Sequence, residues 1–226
     1  MHTRVSYNIQ ELLTDNNADS VITLLKWIIK GKQNTVFSGN AGVGKTTILK
    51  SCIAFSDNGG ILFRDEVKEI AKSKKYINHD LFIEGISDED KLVSVIIKNH
   101  NYRSIHFDFY SQTADELIER ISQKLTANKS DALKMTVDKI RVNCHMVLKN
   151  RNRYLERVTE IIPIKDEYGN NSYLVQNIFE WQNGKYVLVN MPSETMINNI
   201  KSSLTKAERI TFEAELENIR LSTERN

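Results

Sequence analysis

Gly39-Asn40-Ala41-Gly42-Val43-Gly44-Lys45-Thr46-Thr47 is the stretch on which the fold of this chain turns. It fits the phosphate-binding pattern G-x-x-x-x-G-K-[ST] without a mismatch, and its flanks fit as well. Thr35-Val36-Phe37-Ser38 before it reads as a short buried strand. Residues 45–55 after it read as a helix with Ile48, Leu49, Cys52 and Ile53 on one face. The chemistry calls for these residue types. The glycines let backbone N–H groups wrap closely around phosphate oxygens, at a helix start whose dipole also favours an anion. Lys45 supplies a point charge for the β- and γ-phosphates, and the Thr46 hydroxyl is placed to ligate Mg²⁺. Thr47 faces the α-phosphate side. The whole loop, Gly39 to Thr47 including Asn40, Ala41 and Val43, therefore predicts a nucleoside triphosphate site.

Working outward, 226 residues predict one α/β domain. Apolar residues make up 40% and charged residues 27%, ordinary for a soluble globular protein. A net charge of +2 is too small to argue for nucleic acid or an anionic membrane as partner. No apolar run approaches the length that spans a bilayer, and no signal-peptide pattern opens the chain. Cys52 and Cys144 lack metal spacing and read as small core residues in a reducing compartment, so a cytoplasmic location is expected.

Before the loop, residues 8–13 read as a capped helical turn. Residues 18–30 read as a stronger helix, with Asp19 or Ser20 as cap and Gly31 as stop. After it, Ile61-Leu62-Phe63 is a short strand ending in Arg64-Asp65-Glu66, where a carboxylate is placed to act on metal or water. Leu81-Phe82-Ile83 runs into Glu84-Gly85, a second acid at a strand end, suited to hold a Mg²⁺ shell or orient a water. Ser87-Asp88-Glu89-Asp90 then caps a helix. Residues 102–109 read as a core strand whose His106 is a candidate γ-phosphate contact. A helix follows over 113–125, and Ser130 is expected to cap another through about Arg141. From Val142 onward the grammar becomes antiparallel, with strands at 144–148, 154–164, 173–179 and 185–189. Two helices close the chain, over 193–204 and from 205 to about 219. The basic cluster Lys149, Arg151, Arg153 and Arg157 reads as a solvated rim.

Taken in order, these pieces resemble the C-terminal ATPase domain of the type II/IV secretion ATPases, in their Tad/CpaF-like pilus and secretion branch. The likeness spans residues 8–200. Residues 9–13 and 34–39 resemble that family's approach to its phosphate loop, and 61–70 its Asp box, with Asp65 and Glu66 as the acidic pair. Residues 80–90 resemble its second nucleotide motif, 99–106 its His box and 113–121 the helix beyond. Residues 157–161 and 177–181 resemble its closing strands. The resemblance implies a RecA-like P-loop core, with helices on both faces of a central sheet and C-terminal antiparallel strands plus terminal helices. It implies Mg²⁺-ATP at the loop, Glu66 polarising the attacking water, Glu84 with Thr46 at the metal, and His106 sensing the γ-phosphate. It further implies hexamers working against inner-membrane platform proteins, whereas its departures would suit a partner role beside a full-length ATPase. Several departures accompany it. Glu84-Gly85 reverses the family's Gly-Glu, and the segment 71–79 is short and lacks the arginines that reach nucleotide phosphates there. The family's N-terminal domain has no counterpart in these residues.

Overall fold

Four short apolar runs and one longer one form a parallel half-sheet: Thr35–Ser38 (β1), Ile61–Arg64 (β2), Asp80–Glu84 (β3), Ser104–Phe109 (β4) and Val142–Lys149 (β5). Three antiparallel strands extend it: Asn152–Lys165 (β6), Asn171–Gln182 (β7) and Lys185–Leu188 (β8). The order across the sheet is β2-β3-β4-β1-β5-β6-β7-β8. The computed structural model describes residues 8–57, 60–64, 76, 78–86, 88–98 and 102–224. Asp65 and Glu66 lie outside the described residues.

The helices are Ile9–Leu12 (α1), Ala18–Lys30 (α2), Lys45–Cys52 (α3), Glu89–Val93 (α4), Ala114–Gln123 (α5), Lys129–Lys139 (α6), Glu194–Ser203 (α7) and Lys206–Glu224 (α8). They fall on both faces of the sheet. One core packs α1, α2, α3, α7 and α8 against Phe37, Phe82, Cys144 and Leu155. The other packs α4, α5 and α6 against Val36, Leu81, Ile105 and Phe107. β1, β3 and β4 are buried along their whole length, which is why they read as near-continuous apolar runs. Cys52 and Cys144 are buried free thiols whose pKa values burial pushes up.

Three local expectations change. Asn17, rather than Asp19 or Ser20, stands at the N-cap position of α2. Asn17 takes a left-handed conformation (φ 65°), and its side chain donates to the Tyr186 carbonyl of β8 at 3.0 Å, so tertiary docking replaces the cap. α6 starts one residue before Ser130. Its cap is Asn128, which accepts from Asp131 N, while Ser130 Oγ meets Asn171 of β7. The antiparallel grammar begins one strand later than expected, because β5 runs parallel to β1 and is antiparallel only along its β6 edge. The closing helix is fastened to α2. Trp27 Nε1 and Lys26 Nζ both donate to Glu215, and the Trp27 and Phe212 rings lie 5.5 Å apart.

Candidate functional site

β1 ends at Ser38, and the chain turns over Gly39 into the loop before α3 begins at Lys45. Gly39 takes φ +133°, and a Cβ there would sit 2.2 Å from the Met146 carbonyl oxygen of β5. Glycine is therefore required by the neighbouring strand as well as by the turn. Gly42 (φ +77°) has nothing within 4 Å of its would-be Cβ, so that side of the loop is open. The N-terminus of α3 borders this opening, the end of a helix that favours an anion.

The charged groups around the loop are held apart. Lys45 Nζ donates to the Gly39 and Asn40 carbonyls at 2.9 and 2.6 Å. Burial lowers its pKa, against the pull of Asp108. Asp108, next to last on β4, accepts from Thr46 Oγ1 at 2.5 Å and from Gly85 N at 3.0 Å. Burial raises its pKa. Thr46, the Gly85 N–H and Lys45 work against that rise without cancelling it, and Glu84 adds to it. Two clefts of about 200 and 220 Å³ meet at Lys45 and Thr46. One runs along Gly42, Gly44, Thr47 and Arg153, the other along Gly85, Glu89, Asp108 and Tyr110.

The residues singled out from the sequence are placed differently from one another. Glu84 is buried at the end of β3, and its carboxylate pairs with Lys50 of α3 at 2.6 Å. Its neighbour Gly85 donates its backbone N–H to Asp108. His106 is fully enclosed. Its ring stacks on Phe82 at 4.7 Å, and Nε2 faces Ser104 Oγ at 3.0 Å. It pairs in register with Thr35, three residues before the end of β1 and so roughly 10 Å down the strand from the loop. Burial lowers its pKa to about 3. Glu66 lies outside the described residues.

Three residues near the loop were not singled out as functional. Asp108 follows the apolar Phe107 and precedes Phe109, which hides it from a search for strands that end in an acid. The signal that would have found it is the polar face Ser104, His106, Asp108 on an otherwise apolar strand. His145 stands beside Ser38 in register, with Nδ1 3.0 Å from Ser38 Oγ, and burial lowers its pKa with help from Arg157. Arg153 reaches the Gly42 carbonyl through Nε at 3.1 Å.

The donor set fits a phosphate with a shared cation. Among the described residues no group of three or more His, Cys, Asp or Glu converges as a metal cage. A cation here would lean on Thr46, Asp108, phosphate oxygens and water, the coordination habit of Mg²⁺.

The sequence matches no known protein family and no curated protein. Among solved structures, the chain is similar to the VirB11 ATPase from the Brucella suis type IV secretion system in complex with sulphate. Identity is 14%, over 71% of this chain and 57% of that one, with a TM-score of 0.50. A pilus retraction motor, PilT with bound ADP, matches at 10% identity over 83% of this chain and 56% of that one, with a TM-score of 0.44. The Legionella pneumophila ATPase DotB matches at 12% over 85% and 55%, with a TM-score of 0.38. The chain spans a little over half the length of these structures. The likeness to the first establishes the fold, a mixed α/β RecA-like core with an eight-stranded sheet between helices.

Proposed function

We propose that this chain binds Mg²⁺-ATP at residues 39–47 and hydrolyses it as the motor core of a type II/IV secretion or Tad-like pilus assembly system. The observation that carries the proposal is the bond from Thr46 to Asp108 beside an open, glycine-walled loop. A P-loop hydroxyl and a strand aspartate are the pair that holds Mg²⁺ in P-loop enzymes. Bound Mg²⁺ would neutralise charge on the β- and γ-phosphates. Lys45 would leave the Gly39 and Asn40 carbonyls for phosphate oxygens, trading neutral acceptors for charged ones. The α3 N–H groups would hold the β-phosphate. Glu66 is the residue proposed to polarise the attacking water.

The placement of Glu84 refines its role. Paired to Lys50, it adds negative potential beside Asp108 and would influence a bound Mg²⁺ through that residue. His106 would act on the γ-phosphate only through the β4 backbone and Asp108. No helix among the described residues is long and apolar enough to cross a membrane. On the family resemblance the working form is a cytoplasmic hexamer facing an inner-membrane platform, where hydrolysis moves subunits against each other.

The test is phosphate release at saturating Mg²⁺-ATP. Lys45→Ala and Asp108→Asn are expected to fall on the order of 100-fold or more, as when one preorganised charge-stabilising group is removed. Glu66→Gln is expected to retain ATP binding and lose turnover. Equal rates in all four proteins would overturn the enzymatic reading. A second reading, nucleotide binding with little hydrolysis in a regulatory or structural partner, is favoured by the Lys50–Glu84 pair. That pair engages the carboxylate read from the sequence as a metal or water residue. ATP binding without phosphate release, with or without added partner ATPases, would select it.

A further inference from the structure

Arg153 approaches the loop from a direction that the sequence does not announce. β5 runs past the end of β1 and turns back through Asn150-Arg151, both at positive φ (52° and 68°), a mirror-image two-residue turn that suits the twist of an antiparallel ribbon. The ladder pairs His145 with Arg157 and Met146 with Leu155, which leaves Glu156 as an extra residue. That bulge resets the alternation of side chains. Val158 and Leu155, three apart, both enter the core on the α3 side. Arg153, two residues from Leu155, shares that face. Strict alternation from Val158 would have turned it to the other side of the sheet.

The consequence is a guanidinium seated on the loop. A Cβ at Gly44 would lie 3.1 Å from Arg153 Cδ, so the stem lies along the loop's last glycine. Nε donates to the Gly42 carbonyl at 3.1 Å. The remaining N–H donors have no partner among the described residues, and the side chain lines the cleft formed by Gly42, Gly44, Lys45, Thr46 and Thr47. Five donors in a planar fork match phosphate oxygens two at a time. The cleft lies on the Thr47 side of the loop, away from the Asp108 wall.

We infer that Arg153 is a phosphate-binding residue, delivered in cis by the β5–β6 hairpin, that holds the α/β portion of a nucleoside di- or triphosphate. The inference rests on the reading of residues 39–47 as the phosphate site. It supplies an arginine where the shortened segment 71–79 offers none. The bond to Gly42 is its resting position, and a charged phosphate is the stronger acceptor.

The test is calorimetric titration of the full chain with Mg²⁺-ADP and Mg²⁺-ATP. Arg153→Gln keeps a side-chain N–H for the Gly42 carbonyl, so a residue that merely latched the loop would survive this change. A phosphate contact would not. Arg153→Gln is expected to weaken both nucleotides about tenfold to hundredfold. Arg153→Lys is expected to fall between it and the wild type, since an ammonium keeps the charge without the fork. Equal affinities in wild type and Arg153→Gln overturn the inference. Failure of the wild type itself to bind ADP removes the loop reading, and this inference with it.

Discussion

Asp80 and Asp108 are buried aspartates on adjacent strands at opposite ends of the sheet, and their surroundings could hardly differ more. Asp80, at the start of β3, accepts from Arg103 Nε and Nη2 (3.1 and 2.8 Å), Ser104 Oγ (2.7 Å), Ser56 Oγ (2.6 Å) and Lys32 Nζ (3.2 Å). Burial pushes its pKa up, but Arg103, Ser56, Ser104 and Lys32 together hold it well below the usual carboxylate range. Asp108 has one hydroxyl and one backbone N–H, and burial wins. Its nearby cation, Lys45, is turned onto the loop carbonyls. One aspartate has all the positive charge it needs from the chain itself. The other is left short of it, as the proposed site for a cation and a phosphate would require.

The contrast predicts unequal costs. Asp80→Ala removes the buried partner of Arg103 and leaves Lys32 only its 3.3 Å pair with Asp57, and is expected to destabilise the fold by about 3 kcal/mol in urea unfolding. A loss no larger than that of a surface ion pair, under about 1 kcal/mol, would break the comparison at its structural end. The same cluster carries a pH signature through His106. Its folded pKa of about 3 lies below its ordinary 6.5, so the folded state binds fewer protons than the unfolded one. The stability this contributes is complete above pH 6.5 and is lost as pH falls toward 3, at about 1.4 kcal/mol per pH unit for one proton. His145 adds to the same window, and Asp80 contributes a loss only below about pH 4. His106→Gln should flatten part of the slope between pH 6.5 and 4 in denaturant titrations, and an unchanged slope would assign it all to other groups. Asp108→Asn is expected to shift stability least, within about 1 kcal/mol, because the amide oxygen still accepts from Thr46 or Gly85. Calorimetry should show Mg²⁺-dependent ATP affinity falling while the melting temperature holds. A large loss of stability with unchanged affinity would make Asp108 a second Asp80.

The loop, its flanking strand and helix, and the order of α/β elements were legible because they are local. A pattern of eight residues, Gly39 to Thr46, and the periodicity on either side decide them. The N-terminus of α2 was not, since Asn17 is held by a contact made far along the chain, and Ser130 was misread as a cap because its hydroxyl meets Asn171 while Asn128 makes the local bond to Asp131 N. Asp108 was missed because its meaning depends on register. Only the pairing of β1 with β4, which sets Phe37 beside Asp108 and Ser38 beside Phe109, brings it under Thr46 across 62 residues. Arg153 read as a solvated rim charge because one extra residue in a strand reverses a face, and nothing in the composition of 153–158 marks the bulge.

Gly39 and Gly42 look equivalent in the motif, but they would drift differently over evolutionary time. At Gly39 any side chain collides with the Met146 carbonyl, so the sheet itself enforces glycine whether or not phosphate is ever bound. At Gly42 space is open, and only the backbone angle and, on the proposed function, a phosphate ligand favour glycine. If the proposed nucleotide binding holds, Gly39 would persist as a fossil of the fold in descendants that had abandoned it. Gly42, replaced first by asparagine or aspartate that tolerates its positive φ, would be the position that records when selection for the ligand ended.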